Sequence, residues 1–325
     1  MDQRWTCRDY ENGDETHIID LFRLVFRQVI NLTFWKWRFV ENPCGKGIIK
    51  LMFDADTLIG HYAVIPTMVQ VAGRLTKAVF SMTTMTHPDY SGRGIFTYLA
   101  EEVYSSCVRQ GFSFVYGFPN DNSYPGFTRK LGWMVLGKTV TLEKILNEET
   151  GIQTVSADIE SVERFDNRVD ILWDKVKDEF KVAVPRVEKY LNWRFVQNPD
   201  VRYQKYILSD GSGQLAGYAV LKEYVHGDVK KGHIVDILAV DNDEVVRTLV
   251  RHSCDHFQSK QITDISAWFP ADSRYWRVMK QEGFRVEKPG QNFGVRVFTK
   301  AGSLAGIVGG SLKNWYLTMG DSDVF

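Results

Sequence analysis

The sequence has no excess of charge of either sign. Its 40 Lys and Arg residues balance 40 Asp and Glu residues, so the formal net charge at pH 7 is zero. Proteins that bind nucleic acid usually carry a basic excess, and this balance therefore argues against nucleic acid as a partner. It suits a small, compact ligand better.

Cysteine is scarce and long apolar runs are absent. The four cysteines are scattered and form no C-x-x-C pair, which argues against a zinc site or a disulfide framework and favours free, buried thiols in a reducing compartment. No run approaches the about 18 apolar residues of a membrane span. The N-terminal stretch MDQRWTCRDYENGDE is charged and lacks the apolar core of a signal peptide. We expect a cytoplasmic protein with no bound metal and no contact with membrane.

What the sequence does contain is an internal repeat. Three landmarks occur twice in the same order, and the pairs are WRFVENP and WRFVQNP, GHYAV and GYAV, and YGFPNDNSYPGFTRKLGW and AWFPADSRYWRVMKQEGF. Such self-similarity indicates two copies of one structural unit. With 325 residues and 44% hydrophobic residues, each copy is long enough to bury its own core. We place the copies at residues 1–150 and 151–325.

The first copy alternates helical and strand patterns. Apolar residues at helical spacing predict an amphipathic helix over residues 16–32. Strands are predicted for IIKLMFD, LIGHYAVIPTMVQVAG, LTKAVFSMTTMTHP, FSFVYGF and WMVLGKTVTLEKIL, with helices from Gly94 to Cys107 and shortly before Gly132. Asp121 and Asp272 recur at matching places, where we expect them to cap the following helices. The pattern predicts a mixed α/β domain, repeated once.

A glycine-rich turn, Ser91–Gly94, joins a predicted strand to a predicted helix. The first-turn N–H groups of a helix lack intrahelical partners and bind anions, and glycine lets a phosphate come close to them. Such glycines can also serve the turn alone. The second copy, however, passes from HIVDILAV into its helix without any glycine. The fold therefore does not require Gly92 and Gly94, which favours phosphate binding.

This order of strand, glycine turn, helix, strand and KLGW resembles the GNAT superfamily of acyl-CoA-dependent N-acyltransferases. Its signature R/Q-x-x-G-x-G/A corresponds here to Ser91, Gly92, Arg93, Gly94, Ile95 and Phe96. Ser91 replaces the usual Arg or Gln, and Phe96 replaces a small residue. The resemblance implies two tandem GNAT-like domains, each a mixed, mainly antiparallel sheet flanked by helices. Residues 1–150 would bind acyl-CoA, and residues 151–325 would be a degenerate domain for acceptor binding or support.

The resemblance also implies the coenzyme and catalytic residues. Backbone groups of Met85 and Thr86 would pair with the pantetheine arm, and Asn120 and Asn122 would face it. The co-substrate would be acetyl-CoA or another short acyl-CoA, attacked directly by an amine. Candidate catalytic residues are Thr84, His87 and Tyr124. Tyr124 would replace the acid that many relatives carry where this chain has Thr128, and His87 can also be a surface residue of the turn.

Candidate acceptor-binding residues are less specific. They are Trp37, Arg38, Arg194, Trp268, Asp321 and Asp323. Repeated aromatic and arginine residues are also typical of a core, and Trp268 stands where the first copy has Gly117. The terminal NWYLTMGDSDVF is too apolar for a frayed tail, and we expect it to dock.

Within the superfamily the chain resembles enzymes that acylate nucleotide-linked amino sugars of surface polysaccharides. An acyltransferase for another small amine or a protein terminus, and a non-catalytic acyl-CoA sensor, are the alternatives.

Overall fold

The computed structural model describes residues 5–146, 158–298 and 302–325. The first half of the chain contributes β1 (Trp5–Asp9), α1 (Glu15–Phe26), α2 (Leu32–Phe39), β2 (Ile48–Asp54), β3 (Thr57–Val71), β4 (Arg74–Thr86), α3 (Ile95–Arg109), β5 (Phe114–Gly117), α4 (Tyr124–Lys130) and β6 (Met134–Ile145). The second half contributes β7 (Ile159–Ser161), α5 (Arg168–Val176), β8 (Val182–Ala183), α6 (Glu188–Phe195), β9 (Gln204–Ser209), β10 (Leu215–His226), β11 (Val229–Ala239), α7 (Asp243–Ser259), β12 (Asp264–Trp268), α8 (Arg274–Gln281), β13 (Arg285–Val297) and α9 (Gly302–Val308).

The chain divides into two compact units. Unit 1 comprises Met1–Val69, Leu75–Gly137 and Asn292–Gly310. Its strands lie in the order β1, β2, β3, β4, β5 and the end of β13, and β4 and β5 run parallel. Helix α3 packs flush on this sheet, because a Cβ atom on Gly60 would lie 2.4 Å from Cγ2 of Ile95. A side chain at Gly60 would therefore push the helix off the sheet.

Unit 2 comprises Gln70–Arg74, Lys138–Gln291 and Ser311–Phe325. Its strands lie in the order β6, β12, β11, β10, β9 and β7, and β11 and β12 are its parallel pair. The mixed, mainly antiparallel sheet with flanking helices, predicted for each copy, is thus confirmed.

Each unit is completed by a strand from the other half of the chain. In unit 1, β5 pairs antiparallel with β13, and in unit 2, β12 pairs antiparallel with β6. The sequence predicted β6 as a strand, but its second half belongs to unit 2. The separate functions predicted for residues 1–150 and 151–325 remain predictions.

The helix predicted for residues 16–32 already ends at Phe26, and a separate helix begins at Leu32. Arg27 adopts a left-handed φ of 55° and donates its N–H to Arg23 O, which ends α1. The side chain of Asn31 then accepts from Phe34 N and starts α2. The apolar pattern continued to Val29 although that side chain is 75% exposed. Apolar spacing alone therefore extended the helix past its end.

The turn between β3 and β4 offers a stabilising substitution. Ala72 and Gly73 have φ of 47° and 78°, as in a type I′ turn, and alanine is unfavourable in that region. We expect Ala72→Asn to raise the free energy of unfolding by about 0.5 to 1 kcal/mol, because asparagine tolerates a left-handed backbone better. Urea unfolding measures the effect. Ala72→Val is the control and should destabilise; a stabilising valine would contradict this interpretation of the turn.

Two further sequence predictions can be compared with the structure. None of the four cysteines forms a disulfide in the described part of the chain. Cys107 and Cys254 are buried as predicted, whereas Cys7 is half-buried and Cys44 is exposed. Within the described ranges, no helix combines the length and the apolar character needed to cross a bilayer.

Candidate functional site

A gap opens in unit 1 where β4 and β5 separate. The two strands pair from Ala78 and Phe114 to Phe80 and Tyr116, and β4 then continues to Thr86 without β5 beside it. At the point of separation they are still close, since a Cβ atom on Gly117 would lie 3.1 Å from Ser81 O. The end of β4 therefore presents backbone groups that β5 does not use.

A bulge decides which backbone groups face the gap. Lys77 O accepts from Ser113 N, so at the start of β4 the backbone N–H and C=O groups of odd-numbered residues point to β5. Further along, His87 N donates to Ile59 O in β3, so the backbone groups of odd-numbered residues there point to β3 and away from the gap. Because neighbouring residues of a strand point in opposite directions, Thr84 and Thr86 turn their backbone groups to the gap. Met85 was predicted to pair with the coenzyme through its backbone, but its backbone groups point to β3 instead.

The bulge lies at Thr83, whose φ of 53° is left-handed. This conformation is a strong outlier for a β-branched residue. The residue therefore marks a strained point, and strain of this kind is concentrated at functional sites.

The glycine turn follows the gap and is open. Gly92 and Gly94 have φ of 77° and 83°, Ser91–Gly94 is exposed, and a Cβ atom on either glycine would meet nothing within 4 Å. Gly94 is the N-cap of α3 and no side chain caps the helix. The first-turn N–H groups of α3 therefore face outward, where an anion can bind them.

Arg93 and His87 are both engaged within the turn. Arg93 Nη2 donates to Asp89 O at 3.1 Å, and its guanidinium lies 5.1 Å from the Tyr90 ring. His87 caps the short turn Pro88–Tyr90, because its Nδ1 accepts from Asp89 N at 3.3 Å. His87 thus has a structural partner at the turn, and its catalytic role remains a prediction.

Phe96 is accommodated by a glycine of another helix. Its ring packs 5.0 Å from the Phe127 ring, and a Cβ atom on Gly126 would lie 2.5 Å from Phe96 Cε1. The large residue that departs from the family signature therefore points toward α4 and away from the open turn. The signal for this pair was the glycine in YPGF, since glycine is unfavourable inside a helix.

The residues predicted to face the coenzyme from the other strand lie around the start of α4. Asn120 is exposed, its Oδ1 accepts from Ser123 N at 2.9 Å, and Asn122 is exposed as well. Tyr124 is half-buried and is the first residue of α4. These positions follow the end of β5 in the chain, and their contact with the coenzyme stays a prediction.

The prediction that Asp121 and Asp272 cap helices is wrong. The N-cap residues of α4 and α8 are Ser123 and Ser273. Asp272 has a left-handed φ of 65° and pairs with Lys313 at 2.7 Å. Asp121 accepts from Asn292 Nδ2 at 3.4 Å. The aspartates lie too early in their loops to reach the first helical turn.

A buried hydrogen-bond chain lies under the gap and was not predicted. Tyr62 Oη lies 2.8 Å from Ser81 Oγ and 2.7 Å from Tyr104 Oη, and Trp133 Nε1 donates to Tyr104 Oη at 2.9 Å. Burial raises the pKa of Tyr62, so its hydroxyl stays neutral. Since Ser81 is where the strands separate, these hydrogen bonds hold β4 at the point where the gap begins.

His61 is a second residue that the sequence reasoning missed. It is fully buried on β3, and its Nδ1 donates to Thr83 O at 2.7 Å, because the carbonyl can only accept. Its Nε2 is also buried, with no hydrogen-bond partner among the described residues. Burial lowers the pKa of His61 to about 4. The imidazole is therefore neutral, with its proton on Nδ1.

This low pKa predicts sensitivity to acid. Between pH 6.5 and 4 the unfolded chain binds a proton at His61 and the folded chain does not, so stability is lost as the pH falls. We expect His61 to account for about 3 kcal/mol of that loss. Urea unfolding at pH 7 and pH 4 would measure it, and His61→Asn should lose correspondingly less. An equal loss in both proteins would show that His61 titrates normally.

The acceptor candidates of unit 1 lie on α2. Trp37 is buried, 2% exposed, which matches an aromatic core residue, and the Arg38 guanidinium lies 4.5 Å from the Phe34 ring. Arg38 is half-buried, so part of its side chain reaches the surface.

The acceptor candidates of unit 2 hold the C-terminal segment. Arg194 is buried and donates to Gly320 O at 3.1 Å and Ser322 O at 3.2 Å, and Asp321 pairs with buried Arg186 at 2.7 Å. Trp268 donates to Thr141 Oγ1 at 3.0 Å and packs against the Phe325 ring.

The C-terminal segment docks, as expected. Because Arg194 and Asp321 are buried and engaged, we leave them out of the proposed acceptor site. Asp323 is half-buried and is retained.

The matching gap in unit 2 is filled. Strand β11 pairs with β12 only as far as Ile234 and Ala267. Beyond that point, Tyr316 of the C-terminal segment donates to Ile237 O, and Tyr275 Oη accepts from Ala239 N at 3.1 Å. Aromatic side chains thus bind backbone groups of β11 beyond its pairing with β12.

Comparison with known proteins agrees with this geometry. Residues 6–136 match the family model of the acetyltransferase (GNAT) domain. This match covers less than half of the chain and shows that residues 6–136 are similar to that domain, which is typical of acyl-CoA-dependent N-acyltransferases. The predicted enzyme class and co-substrate class are confirmed at this level. A comparison with curated proteins gives no match.

Solved structures extend the similarity to most of the chain. A probable N-acyltransferase from Enterococcus faecalis matches with a TM-score of 0.71 and 14% identity, over 90% of this chain and 72% of that protein. A GCN5-related N-acetyltransferase from Anabaena variabilis gives 0.71 and 14%, over 91% and 73%. Saccharomyces cerevisiae N-myristoyltransferase with bound myristoyl-CoA gives 0.65 and 10%, over 91% and 80%. At these identities the similarity shows the fold.

Proposed function

We propose that the chain transfers a short acyl group, such as acetyl or 3-hydroxybutanoyl, from acyl-CoA to the amine of a nucleotide-linked amino sugar. The open glycine turn beside the gap in unit 1 is the observation that carries the coenzyme part. Gly92 and Gly94 leave the N–H groups at the start of α3 free for the pyrophosphate. The pantetheine arm would then lie along Thr84 and Thr86, with Asn120 and Asn122 opposite.

The same backbone groups suit the chemistry. The amine nitrogen forms a bond to the thioester carbon, the carbon–sulfur bond breaks, the amine loses a proton, and the thiolate of CoA gains one. The N–H group of Thr84 would stabilise the oxyanion, while that of Thr86, about 6.7 Å further along the strand, would pair with the pantetheine arm. Placing the amine beside the carbonyl supplies much of the rate. We assign the acid to Tyr124. His87 is the candidate base.

The acceptor assignment rests on family resemblance and on the zero net charge, which suits a small acceptor. Residues 151–325 would bind or support that acceptor. The candidate contacts are Arg38 and Asp323, since Trp37 and Trp268 are as buried as the excluded Arg194. The same geometry is compatible with another small amine or a protein terminus, and a sensor would bind the coenzyme without turnover. The acceptor is therefore the part that the assay must decide.

The test incubates the full chain with acetyl-CoA and 3-hydroxybutanoyl-CoA against a panel of amines, and follows thiol release. The panel contains dTDP- and UDP-linked amino sugars, an aminoglycoside, amino acids and a peptide. We expect turnover with a nucleotide amino sugar and one CoA bound per chain by calorimetry. Turnover only with another amine would overturn the acceptor, and binding without turnover would favour the sensor. Two CoA molecules per chain would contradict a filled gap in unit 2.

A further inference from the structure

We propose that His61 is a positioning residue that holds β4 in its left-handed bulge, so that the N–H groups of Thr84 and Thr86 face the acyl-CoA and that of Thr84 points at the thioester carbonyl. The inference rests on the proposed function for the reaction itself. It assigns a role to a buried side chain that does not touch the coenzyme and that neither the signature nor the repeat singled out.

The hydrogen bond acts directly on the strained residue. His61 Nδ1–H donates to Thr83 O at 2.7 Å, and Thr83 has the φ of 53°. A donor that hydrogen-bonds to the carbonyl oxygen of a residue stabilises the backbone conformation that brings the two atoms together. Within the described part of β4, Thr83 is the one residue with a positive φ, so the bond and the strain coincide.

The consequence of the bulge is the change of direction along β4. Before it, Lys77 O faces β5, and after it, His87 N faces β3. Thr84 and Thr86 consequently face the gap that begins at Ser81. Without the bulge, the alternation would continue and Met85 would face the gap instead. The identity of the N–H groups in the gap therefore depends on the conformation of Thr83.

Unit 2 also has a bulge in the matching strand, but it has no histidine at the matching position. The register of β10 and β11 also shifts, between Val220 and Leu221, so β11 has an extra residue too. However, no residue of β11 has a positive φ, and Gly217 stands where unit 1 has His61. That unit also lacks the glycine turn. The histidine and the left-handed form of the bulge thus occur together, in the unit with the open turn.

The position of Nε2 argues against a role as the base. The atom is buried, and the ring of Phe39 on α2 lies edge-on to the imidazole at 6.4 Å. His61 itself has no exposed surface, so an incoming amine has no direct path to it. The imidazole acts through Nδ1 and through Thr83.

Two isosteric substitutions test the proposal. Asparagine places an N–H near the position of Nδ1, whereas glutamine places one near Nε2. We expect His61→Asn to keep kcat within about 3-fold of wild type. His61→Gln should lose about 10- to 100-fold in kcat, because the oxyanion donor turns away. The affinity for CoA, which has no acyl carbonyl, should stay unchanged in His61→Asn. In His61→Gln it should fall less than kcat does, because the pantetheine contacts at Thr84 and Thr86 change but the glycine turn is untouched.

A rescue variant separates positioning from mere structure. Glycine adopts positive φ freely, so Thr83→Gly in the His61→Gln background should restore most of kcat. Equal losses in the Asn and Gln variants, with one limb of the pH profile gone, would instead make His61 the base and overturn the proposal. Unchanged kcat in both would also overturn it, as would a parallel loss of CoA affinity and thermal stability without rescue.

The proposal can be judged even if no amine turns over. In that case wild type should bind acetyl-CoA more tightly than CoA, by about 5-fold for one hydrogen bond to the carbonyl. His61→Gln should lose this preference and His61→Asn should keep it. A preference that survives in His61→Gln would sink the positioning role, whereas absent turnover alone contradicts only the proposed function.

Discussion

A Gly94→Glu variant is expected to lose at least about 100-fold in affinity for CoA while keeping its fold. Gly94 caps α3 with a φ of 83°, and the space around it is open. A glutamate there places a side chain and a negative charge where the pyrophosphate would sit. Loss of two charge-assisted hydrogen bonds of about 1.5 kcal/mol each already corresponds to that factor. Calorimetric titration with CoA measures it.

The matched control lies at the other end of the same helix. Gly111 also has a left-handed φ, 77°, and an ideal Cβ atom there also meets nothing within 4 Å. Gly111→Glu therefore introduces the same backbone strain and the same charge far from the turn. It should bind CoA as wild type does. Equal affinities for CoA in the two variants would show that Gly94 serves only the turn.

Two strands of unit 1 could be predicted closely from their hydrophobic pattern. The strand IIKLMFD was predicted with the bounds observed for β2, and the predicted strand before the glycine turn lies within two residues of β4 at either end. Hydrophobic patterning reports whether a strand is buried, and these strands are. The contrast between a copy with glycines and one without them also singled out this turn from the sequence alone.

Strand partners could not be predicted in the same way. The second half of β6 pairs with β12, and the end of β13 pairs with β5. Both strands follow a helix and a glycine-aromatic pair, so their sequences fit either neighbour. Pairing is decided by long-range packing, which a local pattern does not contain.

His61 was missed for a related reason. In GHYAV it reads as one residue of a buried strand, and its partner Thr83 is distant in sequence. The usable signal was the alignment with the second copy, which has Gly217 at that place. The predicted acceptor residue Arg194 shows the converse error: a repeated arginine in an aromatic motif proved to hold the C-terminal segment.

An Arg186→Met variant is expected to lose about 3 to 5 kcal/mol of stability in unit 2. Arg186 is 1% exposed and pairs with Asp236 at 3.2 Å and with Asp321 at 2.7 Å, and both carboxylates are also buried. Its Nη1 also donates to Val184 O at 2.9 Å. Methionine fills a similar volume but leaves two buried carboxylates without a counter-charge, which is strongly destabilising.

The expected thermal shift for Arg186→Met is a decrease of roughly 10 °C, followed by calorimetry. Arg168→Met is the control, because Arg168 forms an exposed pair with Asp166, with 37% and 52% of the side chains accessible, and such pairs contribute about 1 kcal/mol or less. Release of the C-terminal segment should accompany the larger effect, since Asp321 also accepts from Thr318 N at 2.8 Å. Faster hydrogen exchange at Trp315–Ser322 would show it. If Arg186→Met and Arg168→Met cost the same, the buried pair does not hold the segment, and the filling of the gap in unit 2 by Tyr316 needs another cause.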